Sequence, residues 1–390
     1  MPSARDRESL LELTRAMVRV PSRSGIDPYG PVYDHITAWL RARNIVVDVL
    51  FDGDVPITVT ATVGDPSSGP TYLLIATADT AEFGDESAWT AGPLSGEIRD
   101  GWLYGRGSAD SKSGIAIFCH VATALLDKAD ELHGAVTLVF DAEEHSGKFL
   151  GIQRFLSWMP SGFNVTGAMI GYPGQDKLIT GCRGVLRAVI RVHGKAAHSG
   201  SSSQHGINAL VRAVNLVQRL QKTELPQERA PEFPLPAQLT VTGLHGGSEY
   251  SSVPDLCNVY VDVRLTPRFD AIAAQEFIGE MAAWLDAQES RVTATEVDIK
   301  QVWPAYIIPP DRMVQALRES ACKVLNKDIP LAVAGPTSVG NLLALRKIPA
   351  TAGLGVIYRN AHATDECILI ESLEPVYRTY LGAVRDLLKR

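Results

Sequence analysis

The chain has 390 residues, of which 45% are apolar and 21% charged, and its formal net charge at pH 7 is -7. This length exceeds a comfortable single core, so we expect one large domain and a smaller one. The acidic balance, without any cluster of Lys and Arg, argues against nucleic acid as the main partner, because phosphate binding needs clustered basic residues.

The first twenty residues are typical of an amphipathic helix, with its apolar positions on one face: Leu10, Leu13, Met17 and Val20. They lack the pattern of a signal peptide, and no apolar run reaches the roughly 20 residues that cross a bilayer. The cysteines are scattered, odd in number and without metal-type spacing: Cys119, Cys182, Cys257, Cys322 and Cys367. We therefore expect a protein of the reducing cytoplasm that does not bind membranes.

Apolar β-type runs alternate with helical patterns in the first part of the chain. Residues 71–77, 135–141 and 166–172 are predicted to be buried strands, and residues 111–126 a helix between the first two. This alternation indicates an α/β domain with a mostly parallel sheet covered by helices. Functional side chains are then expected at the carboxyl ends of the strands.

From about residue 181 the pattern changes to longer, two-sided strands with two interleaved helices. The predicted strands cover 184–194, 237–247 and 256–267, and the predicted helices 206–221 and 269–288. The order strand, helix, strand, strand, helix, strand predicts an α+β (ferredoxin-like) domain. We place this inserted domain at residues 181–299.

After the segment 302–310 the alternating pattern returns. It predicts a helix at 311–325, a strand at 350–356 and a last helix at 374–389, with the glycine-rich segment 334–345 before the strand. The catalytic domain is therefore predicted to be discontinuous, with residues 1–180 and 300–390.

Acidic side chains follow two of the predicted strands. Glu143 and Glu144 come just after the strand 135–141. Such a pair usually forms only a solvated edge, but at a strand end it can supply one metal ligand and one general base. Asp79 follows the strand 71–77 and is a candidate catalytic carboxylate. Thr77 stands two residues before it, where a metal enzyme would profit most from a histidine.

Two further residues make a candidate metal set with the glutamates. Asp110 lies in a glycine-rich turn that opens a helix, where it serves either as an N-cap or as a rigid metal ligand. His362 lies in a loop, where a lone histidine is more often unremarkable. Together, His, Glu and Asp are the three-ligand set of a catalytic zinc, which leaves one position for water.

Other catalytic patterns have little support. His193 and His198 lie five residues apart on a predicted strand and its following turn, so they point to different places and only one need be functional. The chain lacks the G-x-x-x-x-G-K-[ST] spacing of a phosphate-binding loop. It also lacks the G-x-S-x-G elbow of serine hydrolases.

Several segments, taken in order, resemble those of the co-catalytic zinc amidohydrolases and peptidases. This family includes acetylornithine deacetylase, succinyl-diaminopimelate desuccinylase, aminoacylase and glutamate carboxypeptidase. The segments are DESAWTAGPLSGEIRDGWLYGRGSADSKSG, VHGKAAHSG, VDVRLTP, GPTSVGNLLA and AHATDE. The resemblance covers almost the whole chain and implies an α/β catalytic domain with an inserted lid that also dimerises the protein.

The resemblance implies two zinc ions that share a bridging aspartate, which matches Asp110. One zinc is completed by residues matching Glu144 and His362. The other requires a histidine and an acidic residue at positions that here carry Thr77 and Tyr172. Both departures fall on the same metal, so we expect one intact site and about one zinc per subunit, with manganese or cobalt also possible for this donor set.

The resemblance also implies roles for residues around the metal. Glu143 matches the general base, and Asp79 the carboxylate that orients the missing histidine. His198 matches a lid histidine that stabilises the oxyanion in the partner subunit's active site. Arg264 matches an arginine that receives the substrate carboxylate, and Ser251 stands where asparagine is common near the substrate.

Three functions are compatible with these residues. The first is a metal-dependent hydrolase of an N-acyl amino acid or small peptide with a free carboxylate. The second is an enzyme of the same fold that catalyses amide formation, cyclisation or elimination, and the third is a non-catalytic binding protein. A general base and an oxyanion donor argue against the third. We expect a small-molecule substrate and a homodimer formed through the inserted domain.

Overall fold

The computed structural model describes residues 4–160, 162–203, 205–225, 230–247 and 250–389. Within these ranges the helices, in chain order, are α1 (Ala4–Val18), α2 (Gly30–Arg41), α3 (Ser113–Leu126), α4 (Leu150–Trp158), α5 (Ala209–Lys222), α6 (Ala271–Ala287), α7 (Arg312–Leu325), α8 (Val339–Leu345) and α9 (Leu373–Leu387). No helix among the described residues has the length and apolar character needed to cross a membrane.

The strands of the same ranges, in chain order, are β1 (Asp48–Asp52), β2 (Val55–Gly64), β3 (Thr71–Thr77), β4 (Ile98–Arg99), β5 (Trp102–Tyr104), β6 (Ala135–Asp141), β7 (Val165–Ile170), β8 (Leu178–Cys182), β9 (Gly184–His193), β10 (Gln238–Gly246), β11 (Leu256–Leu265), β12 (Glu296–Trp303), β13 (Tyr306–Ile307), β14 (Leu331–Ala334), β15 (Ala350–Gly353), β16 (Tyr358–Arg359) and β17 (Cys367–Leu369).

The chain forms two compact units. The first comprises Met1–Thr180, Ile308–Ala332 and Ser338–Arg390, and the second comprises Gly181–Ile307 and Val333–Thr337. The sequence places the return to the first domain at residue 300. In the structure residues 300–307 belong to the second unit, because β12 stays paired with β9 as far as Trp303.

The main sheet of the first unit has the strand order β1-β2-β6-β3-β7-β15-β8. Its four central strands, β6, β3, β7 and β15, are parallel to one another. The pairs β1–β2, β2–β6 and β15–β8 are antiparallel. The predicted α/β class is confirmed, although the flanking strands make the sheet mixed. Every residue of β3 and β6 is buried, which explains their continuous apolar runs.

Helices cover this sheet and bury the apolar stripe that the N-terminal sequence predicts. Leu10, Leu13 and Met17 of α1 are 0–5% exposed and belong to the large hydrophobic core. In the same core the rings of Phe118 in α3 and Tyr380 in α9 pack edge to face, with centroids 4.8 Å apart. These contacts provide the rigid support for the carboxyl ends of the central strands.

A small second sheet in the first unit has the order β16-β17-β5-β4. Strand β17 pairs antiparallel with β5, with Cys367 opposite Tyr104. The turn after β5 leads to Asp110, and the loop before β17 carries His362. This pairing therefore brings together two chain segments that are far apart in sequence.

The second unit is built on a sheet of order β10-β11-β9-β12, in which every neighbouring pair is antiparallel. Helix α5 connects β9 to β10, and α6 connects β11 to β12. This is the ferredoxin-like arrangement that the sequence predicts. Its core includes Ile190, Leu216, Val259 and Ile278, all fully buried.

Candidate metal centre

Asp110 lies in the turn Ser108–Lys112, which a buried ion pair supports. Glu366 Oε1 accepts hydrogen bonds from the backbone N–H groups of Ala109 (2.9 Å) and Asp110 (3.4 Å). Its other oxygen lies 2.7 Å from Nη1 of Arg106, and both side chains are almost fully buried. Loss of either partner of this pair would leave an uncompensated buried charge. Arg106 thus keeps Glu366 in place, and Glu366 in turn holds the backbone at Asp110.

His362 reaches Asp110 from the loop between β16 and β17. Its Nε2 lies 3.0 Å from Asp110 Oδ2. The histidine side chain is 53% exposed, whereas that of Asp110 is 16% exposed. The structure thus brings together two of the three metal ligands that the sequence predicts.

The adjacent glutamates after β6 are each held by a tyrosine hydroxyl. Tyr29 donates to Glu143 Oε1 at 2.5 Å, and Tyr172 donates to Glu144 Oε1 at 2.5 Å. Glu143 has a φ of 65°, in the left-handed region that side chains rarely adopt. The two carboxylates therefore have different partners, as neighbouring side chains at a strand end can.

The burial of Glu144 alters its protonation. Burial and the negative charge of Asp110 raise the pKa of Glu144 to about 7, although His145 and the Tyr172 hydroxyl act in the opposite direction. Burial also raises the pKa of Tyr172, and the Glu144 charge adds to this effect. The assignment of Glu144 as a metal ligand stays a prediction, as does the alignment of Tyr172 with a lost acidic ligand.

His145 is a site residue that the sequence analysis does not identify. One ligand atom from each of Asp110, His145 and His362 lies within 4.8 Å of the others. The rings of the two histidines lie 5.0 Å apart. The signal in the sequence is its position directly after the glutamate pair at the end of a buried strand. The adjacent carboxylates already account for a metal ligand and a base there, so the pattern does not single out the histidine.

Asp79 lies against His145 and is fully buried. It accepts hydrogen bonds from the Thr77 hydroxyl and from the backbone N–H of His145 (3.1 Å), and its Oδ2 is 3.4 Å from His145 Nδ1. Burial raises the pKa of Asp79, but the contact with His145 outweighs burial, and the pKa lies below its usual value.

The protonation of His145 depends on the surrounding carboxylates. Burial lowers the pKa of His145, but Asp79, Glu144 and Asp110 outweigh burial and raise the pKa to about 10. Three carboxylates therefore favour the protonated form of this imidazole. The side chain of Thr77, at the position where the resemblance implies a histidine, donates to Asp79 instead.

The donor set fits a divalent metal. Two imidazoles and one carboxylate are ligands that zinc takes in catalytic sites. Within the described ranges, Asp110 Oδ1 and both ring nitrogens of His145 are buried without a hydrogen-bond partner. Such atoms are rare in folded proteins, and a bound cation would satisfy Asp110 Oδ1 and one ring nitrogen of His145.

Peptidase family M20/M25/M40 matches residues 73–386 of the chain. The chain belongs to this family. A succinyl-diaminopimelate desuccinylase from Cereibacter sphaeroides is 27% identical over 388 residues, which cover 96% of this chain and 97% of the relative. The resemblance identified from the sequence is thus confirmed.

Solved structures of the M20 family share the fold of the chain. An M20 family metallo-carboxypeptidase from Sulfolobus solfataricus has a TM-score of 0.79 at 17% identity, with 98% of this chain and 99% of that chain covered. A dinuclear metal binding peptidase of the M20 family from Bacillus subtilis has a TM-score of 0.74 at 17% identity, with 99% of both chains covered.

Membership of the M20 family also decides the class of reaction. The protein is a metal-dependent hydrolase of amide bonds in acyl amino acids or peptides. Nothing in the comparisons favours an enzyme of amide formation, cyclisation or elimination, or a non-catalytic binding protein.

Three residues with roles predicted from the M20 resemblance lie in the second unit. His198 is exposed, and its Nδ1 accepts a hydrogen bond from the backbone N–H of Gly200 at 3.0 Å. Arg264 Nε lies 2.8 Å from Asp262 Oδ1. Ser251 is exposed. The predicted contacts of these three side chains with the substrate stay predictions.

Proposed function

We propose that this M20 family member uses one zinc ion per subunit to remove the acyl group from an N-acyl amino acid or to cleave a small peptide. The observation that carries this proposal is the convergence of carboxylate and imidazole ligand atoms, within 4.8 Å of one another, beside the glutamate pair. Manganese or cobalt would also suit carboxylate and imidazole donors. Asp110 and His362 would hold the metal, and the sequence also predicts Glu144 as a ligand, although Glu144 Oε1 accepts the Tyr172 hydroxyl in the structure.

Zinc at this site would supply a Lewis acid that polarises the amide carbonyl and makes water more acidic. Glu143 would take a proton from the attacking water and pass it to the leaving nitrogen as the C–N bond breaks. Tyr29 occupies one Glu143 oxygen with a 2.5 Å hydrogen bond. That contact fixes the carboxylate and leaves its second oxygen for proton transfer.

A substrate with a free carboxylate suits the roles that the resemblance implies for three residues of the second unit. Arg264 would receive that carboxylate, because a guanidinium binds a carboxylate through two parallel hydrogen bonds. His198 would stabilise the oxyanion, and Ser251 would lie near the substrate. The desuccinylase among the relatives makes N-succinyl amino acids the first substrates to try. An open pocket beside Glu143, lined by residues 25–30 and 54–56, offers space next to the base.

We also propose that the protein is a homodimer formed through the second unit. Strand β10 is at an edge of its sheet. Helix α5 exposes Val211 and Val214, with 55% and 37% of their surface in solvent. A second copy that covered these side chains would bury apolar surface. Among the described residues the cysteines form no disulfide, which agrees with the predicted cytoplasmic location.

The proposed reaction is tested by the release of amine from a substrate panel. N-acetyl and N-succinyl amino acids, N-succinyl-diaminopimelate and small peptides are incubated with the zinc-loaded protein. We expect turnover of at least one class and a loss of about 10²- to 10⁴-fold in kcat for Glu143→Gln, with unchanged metal content. Glu131→Gln, at a 70% exposed side chain, is the matched control. Full activity of Glu143→Gln would contradict the role of the base.

A further inference from the structure

The hydroxyl hydrogen of Thr77 is committed to a neighbouring carboxylate. Its Oγ1 donates a hydrogen bond to Asp79, and its backbone N–H donates to Ser111 Oγ at 2.9 Å. The residue is 1% exposed. The position two residues before Asp79 therefore supplies a donor to the carboxylate and no nitrogen ligand.

Asp79 instead holds a histidine from the neighbouring strand end. Its Oδ2 accepts the backbone N–H of His145 at 3.1 Å and lies 3.4 Å from the ring Nδ1. With Nδ1 against Asp79, the opposite ring nitrogen, Nε2, lies 3.8 Å from Asp110 Oδ2. One carboxylate thus orients both the backbone and the ring of His145 toward Asp110.

The ring of His145 is buried without hydrogen bonds to satisfy it. Its side chain is 5% exposed, and in the part of the chain that the structure describes neither ring nitrogen has a hydrogen-bond partner. Among the described residues, Asp110 Oδ1 is likewise buried without a hydrogen-bond partner. Buried polar atoms without partners destabilise the folded state. A cation bound between Asp110 and His145 would offset part of that free-energy cost.

A tyrosine holds one carboxylate oxygen of Glu144. Its Oε1 accepts the Tyr172 hydroxyl at 2.5 Å, and its Oε2 is 3.7 Å from His145 Nδ1, the ring nitrogen that lies against Asp79. The group of converging ligand atoms consists of Asp110, His145 and His362. A histidine therefore stands where the sequence leads one to expect the glutamate.

We propose that His145 is a ligand of the divalent metal that Asp110 and His362 bind, with Asp79 orienting its ring from behind. Strands β3 and β6 pair in parallel, with Thr77 opposite Asp141, so their ends meet at one edge of the sheet. A ligand absent from the end of β3 is thus supplied just beyond β6. A carboxylate behind a ligating histidine is a common arrangement that fixes the ring and raises its basicity. The inference rests on the proposed function only for the presence of the metal.

The test measures zinc affinity by competition with a chromophoric chelator, and the visible spectrum of the cobalt-loaded protein. His145→Ala is expected to weaken zinc binding by more than about 100-fold, because even the loss of a residue behind a ligand costs about 10- to 100-fold. Asp79→Asn is expected to weaken zinc binding by about 10- to 100-fold. His120→Gln, at a buried histidine in the same unit, is expected to retain wild-type affinity.

Two further variants separate His145 from its neighbours and from misfolding. Thr77→His in the His145→Ala background returns an imidazole to the side of Asp79, and recovery of zinc binding would support the inference. Glu144→Gln is expected to retain zinc affinity within about tenfold. The inference that His145 is a ligand would be overturned if folded His145→Ala bound zinc at wild-type affinity, or if the wild type bound no zinc. Zinc binding that requires His145, in a protein that cleaves no amide, would leave the inference intact and refute the proposed function.

Discussion

Two tyrosines decide what the adjacent glutamates of the site can do. Tyr29 and Tyr172 each donate a 2.5 Å hydrogen bond to one of them, Glu143 and Glu144 respectively. Burial, followed by the Glu143 hydrogen bond, raises the pKa of Tyr29 well above its usual value, so the phenol remains a donor. The carboxylate that we propose as the base is therefore held before a substrate arrives.

We predict that Tyr29→Phe lowers kcat by about 10- to 100-fold and leaves KM nearly unchanged. The reason is that a hydrogen bond to a charged group contributes about 1.5 to 3 kcal/mol, and each 1.4 kcal/mol is about tenfold in rate. Steady-state kinetics on the best substrate of the panel measure this split. Tyr33→Phe is the control, since the buried Tyr33 hydroxyl donates to the backbone of Ile57. Equal kcat values for Tyr29→Phe and the wild type would refute the positioning role.

At the scale of elements, a histidine links three helices of the first unit. His120 in α3 has its Nδ1 2.7 Å from the Ala116 carbonyl oxygen and its Nε2 3.0 Å from Ser9 Oγ in α1. Its ring lies 4.6 Å from that of Trp39 in α2. Burial lowers the pKa of His120 to about 4, so the helices pack around a neutral imidazole.

This packing predicts an acid-sensitive stability. An unfolded histidine has a pKa of about 6.5, so between pH 6.5 and 4 the unfolded state binds a proton that the folded state does not. The free energy of unfolding therefore decreases as the pH falls from 6.5 to 4, by about 1.4 kcal/mol for each pH unit in that range. Urea unfolding at pH 7, 5.5 and 4.5 should show a shallower pH dependence for His120→Gln. The control His35→Gln, at an exposed histidine of α2, should retain the wild-type slope.

At the scale of the whole molecule, the proposed homodimer makes a prediction about mass. Val211→Glu places a charge on the exposed apolar face of α5 and should convert a dimer, twice the 42.1 kDa chain, into a monomer. Light scattering after size exclusion measures the mass. Ile272→Glu in α6, a 66% exposed position, should remain dimeric. A monomeric wild type would refute the homodimer.

Local patterns in the sequence determined much of this molecule. Continuous apolar runs predicted β3 and β6, because a strand covered on both faces needs apolar residues throughout. The order of strands and helices after residue 181 predicted the ferredoxin-like unit. Asp110 and His362 could be chosen as ligands because they occur in motifs of recognisable order and spacing.

Only the tertiary structure decided which side chains share the site. The sequence shows that Thr77 is not a histidine but does not point to His145. That residue lies beside Asp79, which follows the parallel strand β3, and near Asp110, which lies beyond β5. Likewise, the tyrosine that holds each glutamate lies far from it along the chain. Hydrophobic periodicity and motif spacing are local properties of a chain. A ligand set is a property of strand ends that only folding brings together.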